Sequence, residues 1–182
     1  MARQQKQTAS EVSVPAAPVK SLLERVAAYL DANDWNYTTN EEKKYFSTNC
    51  RLKDASVRII LDVYESEDWQ RVLVYSCFPV YVPENRRAAV AETITRINYG
   101  MIFGNLDMDF ADGEIRVRTI VEAGGALADT MIDRALASNL DTAGRFLSPI
   151  LAVAFGNTAP EKALDLIAKN ETAAVPQSAT VQ

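Results

Sequence analysis

The stretch RINYGMIFGNLDMDFADGEIRVRTIVEA, residues 96–123, changes its apolar period from that of a helix to that of a strand between Gly100 and Gly104. Upstream, Val90, Ile94, Ile97 and Met101 recur at helical spacing. Downstream, Leu106, Met108 and Phe110 alternate with Asn105, Asp107 and Asp109. Beyond Asp112-Gly113, a strong turn signal, Ile115, Val117 and Val121 alternate with Arg116, Arg118 and Glu122. A chain written this way must feed a helix into an antiparallel hairpin and bury one face of each.

The rest of the pattern fits around that unit. Leu22, Leu23, Val26, Tyr29 and Leu30 predict a first helix capped by Ser21. Asn and Asp then break the pattern over NDWNYTTNEEKK, and the region around Tyr45 and Phe46 reads as a weak strand. SVRIILDVY alternates, with Val57, Ile59, Leu61 and Val63 opposed to Arg58, Ile60, Asp62 and Tyr64. RVLVYSCFPVYV is apolar on both sides, as in a central strand, and Pro79 ends its regular pairing. Residues 43–80 therefore read as a three-stranded meander. The helix that follows opens on Pro83, where a missing N–H costs least. Residues 124–156 predict helix in two pieces, broken near Ser138–Asp141, with Pro149 early in the second piece. A short helix over APEKALDLIAKN closes the domain. The expected class is α+β, an antiparallel sheet with helices packed on it in the order α-βββ-α-ββ-α.

Asp107, Asp109 and Asp112 raise the question of a metal or an acid–base site. An EF-hand loop counted from Asp107 would need an oxygen ligand at position 5, Gly at 6 and Glu at 12. Those positions hold Ala111, Asp112 and Arg118. Aspartates on the wet side of a strand, with Arg116 and Arg118 across the hairpin, stay ionised, whereas acid–base catalysis needs desolvation to separate the two pKa values. The chain has no Walker loop, GxGxxG, GxSxG or HExxH.

Composition narrows the function further. There is no histidine among 182 residues, which removes Ser-His and Cys-His nucleophiles and His-ligated zinc. The net charge of −5 and pI of about 4.9 argue against nucleic acid and anionic membranes as partners. Cys50 and Cys77 stand 27 positions apart without a CxxC pattern; Cys77, inside a strand-like run, is expected to be an inert buried thiol, and a disulfide between the two is not expected without a secretory signal. No signal-peptide pattern opens the chain and the longest apolar run, Phe146–Phe155, is too short to span a bilayer. A cytoplasmic, reduced setting is expected, with no cofactor and no metal. Residues 1–18 and 170–182 are polar and lack an apolar face, so a disordered arm and tail are expected around one domain at 19–169.

VPENRRAAVAETITRINYGMIFGNLDMDFADGEIRVRTIV, followed by RFLSPILAVAFGNTAPEKAL, resembles the YbjN family of bacterial sensory transduction regulators. The resemblance rests on the Pro83-led helix, Asn98, Gly104, the Asp112-Gly113 hairpin and the helix end at Gly156, and covers residues 20 to 168. It implies a fold like that of type III secretion chaperones, which are small, acidic, mostly dimeric and non-enzymatic. No catalytic residue comes with it.

The expectation is a protein-binding module, a regulator or chaperone-like adaptor, that also forms a homodimer. Ile60, Tyr64 and Ile120 interrupt the polar side of their strands, and Leu73 and Tyr75 join them from the central strand. These five are the partner-binding candidates. Helices covering that second face would make them core instead, and the pattern fits both arrangements. A carboxylate-dependent enzyme and a purely structural self-associating subunit are the alternative readings.

Overall fold

A computed structural model describes residues 20–166. The expected arm at 1–18 and tail at 170–182 lie outside the described residues. The elements are α1 (Leu22–Ala32), β1 (Tyr37–Asn40), β2 (Tyr45–Arg51), β3 (Ser56–Glu65), β4 (Trp69–Tyr81), α2 (Arg87–Gly100), β5 (Asn105–Met108), β6 (Glu114–Gly124) and α3 (Asp129–Phe155). Among the described residues six strands form one antiparallel sheet in the order β1-β2-β3-β4-β6-β5. The fold is α+β, as expected, in the order α-ββββ-α-ββ-α.

The extra strand is β1. It was missed because only Tyr37 of its four residues reaches the core, where its ring meets Phe46 edge-on at 5.4 Å. Four residues with one apolar contact leave almost no period to read. β4 runs on past Pro79 to Tyr81, but its ladder with β6 is regular only to Cys77 and resumes at Tyr81 after a bulge. Proline cannot donate to a ladder, and the irregularity falls around it.

Ser21 caps α1 in a reciprocal box with Glu24. Its buried stripe, Leu22, Val26 and Leu30, packs beside β3 and α3. A 3-10 turn, Glu84–Arg86, follows Pro83 and leads into α2, whose Val90, Ile94 and Ile97 are buried as the spacing predicts. Met101 lies just past the helix as its C-terminal cap. Helical backbone resumes over 160–166, consistent with the expected closing helix.

α3 departs from expectation: it is one helix of 27 residues, not two pieces. Asn139, at the predicted break, is wholly buried and aimed at the sheet. Its Nδ2 donates to the carbonyls of Val74 (3.0 Å) and Val117 (3.2 Å) and to Thr119 Oγ1 (3.0 Å), while its Oδ1 accepts from Ser76 Oγ at 2.6 Å. A polar residue in mid-helix usually marks a boundary, because it competes for backbone hydrogen bonds. Here its side chain is consumed by β4 and β6 instead. Pro149 likewise sits well inside the helix. The lost backbone bond is offset by burial of Phe146, Leu147, Ile150 and Val153 around it.

The hairpin between β5 and β6 is present, but its loop is longer than a two-residue turn. Asp109 N–H donates to Glu114 O, so Phe110, Ala111, Asp112 and Gly113 form the loop, with Gly113 at φ +87°. Phe110 is thereby exposed rather than aligned with Leu106 and Met108. A Cβ on Gly113 would lie 2.4 Å from Val82 O. Gly113→Ala is accordingly expected to destabilise the domain by about 1–2 kcal/mol. Gly144→Ala, in α3 with nothing near its Cβ, should instead stabilise by about 0.5–1 kcal/mol. Urea denaturation of both variants checks the opposite signs.

Candidate functional site

The period-two alternation sorts the sheet into two faces. Phe46, Val57, Ile59, Leu61, Val63, Val72, Val74, Val117 and Val121 are buried on the side that carries the helices. The other side is open: among the described residues no helix lies over it. All five partner-binding candidates stand on that open side. The register sets Ile60 between Ser47 and Tyr75, Tyr75 between Ile60 and Arg118, Leu73 between Asp62 and Ile120, and Tyr64 beside Arg71. Tyr64 is 46% and Ile120 43% exposed, while Ile60, Leu73 and Tyr75 are half-buried among longer neighbours.

The face has two parts. At one end Tyr64, Leu73 and Ile120 make an apolar ridge, bordered by the Arg71–Glu122 ion pair and by Trp69, over whose ring the Arg71 guanidinium lies at 4.9 Å. Toward the other end the twisted sheet makes a hollow of about 410 Å³. Ile60 and Tyr75 line it together with Thr38, Tyr45, Ser47, Arg58, Asp62, Cys77, Glu114 and Arg116. Alternation alone had put Arg58, Ile60, Asp62 and Tyr64 on one side. That β6 would close the hollow against β4 was not readable from the sequence.

The charges of the hollow are unevenly satisfied. Arg58 Nη2 stands 3.6 Å from Glu114, longer than a hydrogen bond. Arg116 stands 3.6 Å from Asp107 and stacks on the Tyr75 ring at 4.7 Å. Arg118 shares the same Asp107, its Nε at 2.9 Å from Oδ2 but out of line for a hydrogen bond and its Nη2 bonding Oδ1 at 3.4 Å. Asp62 has neither an ion pair nor a hydrogen bond among the described residues. Burial raises its pKa, and Arg116 pulls in the opposite direction. Burial also raises the Tyr75 hydroxyl, with Asp62 adding to the effect.

Cys77 lies at the floor of the hollow between Arg58 and Arg116, and is buried. Burial is the largest cause of its raised pKa, with Glu114 reinforcing it and the two arginines opposing. The thiol therefore stays protonated and poorly nucleophilic at neutral pH. Cys50 projects from the opposite face of the sheet with β3 intervening, so the two thiols cannot pair; both are free.

The aspartates of the hairpin have separate local work. Asp109 Oδ1 accepts from Ala111 N–H at 2.7 Å and Asp112 Oδ1 from Glu114 N–H at 2.8 Å, so both build the turn. Only Asp107 meets the arginines across the hairpin, and the expected pairing of Asp109 with them does not occur. Among the described residues no three His, Cys, Asp or Glu side chains come together as a metal cage. No helix there is long and apolar enough to cross a membrane.

The residues that carry the sequence resemblance prove to be structural. Asn98 pairs with the backbone of Leu106 like a further strand, accepting from its N–H and donating to its carbonyl, both at 2.9 Å. Gly104, at φ +74°, lets β5 approach Thr119 and Arg118 closely. Gly156 ends α3 where a Cβ would meet Ala152 O at 2.8 Å. Together these define an α+β domain with helices on one side of its sheet and the other side open. The family model YbjN, described as "Putative bacterial sensory transduction regulator", matches residues 22–152, and the chain belongs to that family. That description is of a regulator. No curated protein matches the chain.

Proposed function

We propose that this protein is a non-enzymatic regulator that works by binding protein chains on the open sheet face, and that the apolar ridge is where it binds them. The observation that carries the reading is the contiguity of Tyr64, Leu73 and Ile120 on a side of the sheet that bears no helix among the described residues. Exposed aromatic and branched side chains set together, bordered by ion pairs, have the composition of an interface centre with a polar rim.

The first occupant expected is a second copy. The whole chain carries −5, yet on the β3 to β6 part of this face Arg58, Arg71, Arg116 and Arg118 balance Asp62, Asp107, Glu114 and Glu122. Two acidic copies repel least where each is locally neutral, and apolar contact then decides the geometry. Light scattering at micromolar concentration is expected to give a dimer, and Tyr64→Asp to give a monomer of unchanged fold. A wild type that stays monomeric, or a Tyr64→Asp variant that stays dimeric, refutes self-association through the ridge.

A further inference from the structure

We propose that the hollow beside the ridge is a binding site for a small zwitterion, with Asp62 receiving an ammonium group and Arg58 and Arg116 a carboxylate. The site is concave, and its volume of about 410 Å³ lies in the range of small-molecule pockets. Its two ends differ in charge. Arg58 and Arg116 flank Cys77, a small residue that leaves room between them; Arg58 stands 3.6 Å from Glu114, and Arg116 stands 3.6 Å from Asp107, which Arg118 also holds. Neither guanidinium makes a close fork with its carboxylate, so both can turn to accept a ligand oxygen.

At the other end Asp62 is half-buried with no ion pair or hydrogen-bond donor among the described residues, and only the more distant charge of Arg116 acts on it. A carboxylate left in that state carries a desolvation cost that a bound ammonium removes. Between the ends stand Ile60 and Tyr75, which suit an apolar or aromatic body. Arg58 and Asp62 are four residues apart on one strand, roughly 13 Å along the backbone. Arg116, whose guanidinium lies over the Tyr75 ring and whose charge acts on Asp62, narrows that span from the arginine end to one that a chain of about six carbons bridges. A ligand with a single charge would satisfy one end and leave the other as it is. The two charges held on one body are therefore the recognisable feature.

This inference does not rest on protein binding at the ridge, since Asp62, Arg58 and Arg116 lie in the hollow. The test is titration calorimetry of the full chain with 6-aminohexanoate, and with hexanoate and hexylamine as single-charge probes. The zwitterion is expected to bind at least tenfold more tightly than either control. Asp62→Asn should weaken 6-aminohexanoate and hexylamine at least tenfold and leave hexanoate unchanged, while Arg58→Gln should weaken the two carboxylates and leave hexylamine unchanged. Calorimetry on Ile120→Ser keeps the two ideas apart, because Ile120 belongs to the ridge and does not line the hollow, so 6-aminohexanoate binding should survive a substitution that weakens the dimer. Equal affinity for the three probes, no saturable binding of 6-aminohexanoate by the wild type, or undiminished binding by Asp62→Asn overturns the assignment. Should either variant fail to fold, the wild-type ranking of the three probes decides it.

Discussion

Asn139→Ala is expected to lower the stability of the domain by about 3 kcal/mol. The substitution removes a side chain that satisfies four buried groups at once: the carbonyls of Val74 and Val117, Thr119 Oγ1 and Ser76 Oγ. Ser76, Thr119 and Asn139 are each 1% exposed or less, so water does not replace the lost partners without opening the layer between α3 and the sheet. A buried group left unpaired costs roughly 1–3 kcal/mol. Alanine's better helix propensity returns only about 0.5 kcal/mol of that loss. Asn139→Asp should be at least as damaging, because it keeps the shape but loses the Nδ2 donors and buries a charge. Asp141→Ala, two residues on and exposed, should stay within about 0.5 kcal/mol of wild type. Urea denaturation measures all three, and a cost below about 1 kcal/mol for Asn139→Ala would mean that the network does not hold α3 to the sheet.

Asn139 also marks where the sequence stopped being legible. Period and turn signals were enough for α2, β3 and β6, whose buried residues are those the spacing selects, whereas β4, apolar on both sides, is covered on only one. A polar residue in the middle of a helix carries the same local signature whether it ends the helix or anchors it. Only the presence of a sheet beneath it decides, and its contacts there reach residues 20 to 65 positions away. β1 was illegible for a different reason, since an edge strand with one core contact has no alternation to show. Tyr64 and Ile120 were legible because each interrupts the polar side of its strand, while Leu73 was placed with them only as part of a strand apolar on both sides. The hollow was not, because it depends on β6 pairing with β4 ahead of β5, and alternation within a strand says nothing about its neighbours.

Leu61→Ala and Ile120→Ser should have opposite consequences, although both residues are branched aliphatics in the same sheet. Leu61 is 0% exposed on the helix-covered side, within the main core cluster. Its truncation leaves a cavity and is expected to cost about 2–5 kcal/mol, with self-association unchanged at temperatures where the chain remains folded. Ile120 is 43% exposed on the open side, so most of its surface is already in water and a serine there should change stability by about 0.5 kcal/mol or less. The same change removes one of the three side chains of the ridge, and a truncation at the centre of an interface commonly costs more than 1 kcal/mol of binding. Ile120→Ser should therefore weaken dimer formation severalfold or more while the denaturation midpoint barely moves. Ile60→Ser is expected to fall between the two in stability, because Ile60 is half-buried in the hollow between Ser47 and Tyr75. Denaturation paired with concentration-dependent light scattering separates the two effects for each variant. If Ile120→Ser unfolds the domain as readily as Leu61→Ala does, the open face is core, and the regulator must meet its partners elsewhere.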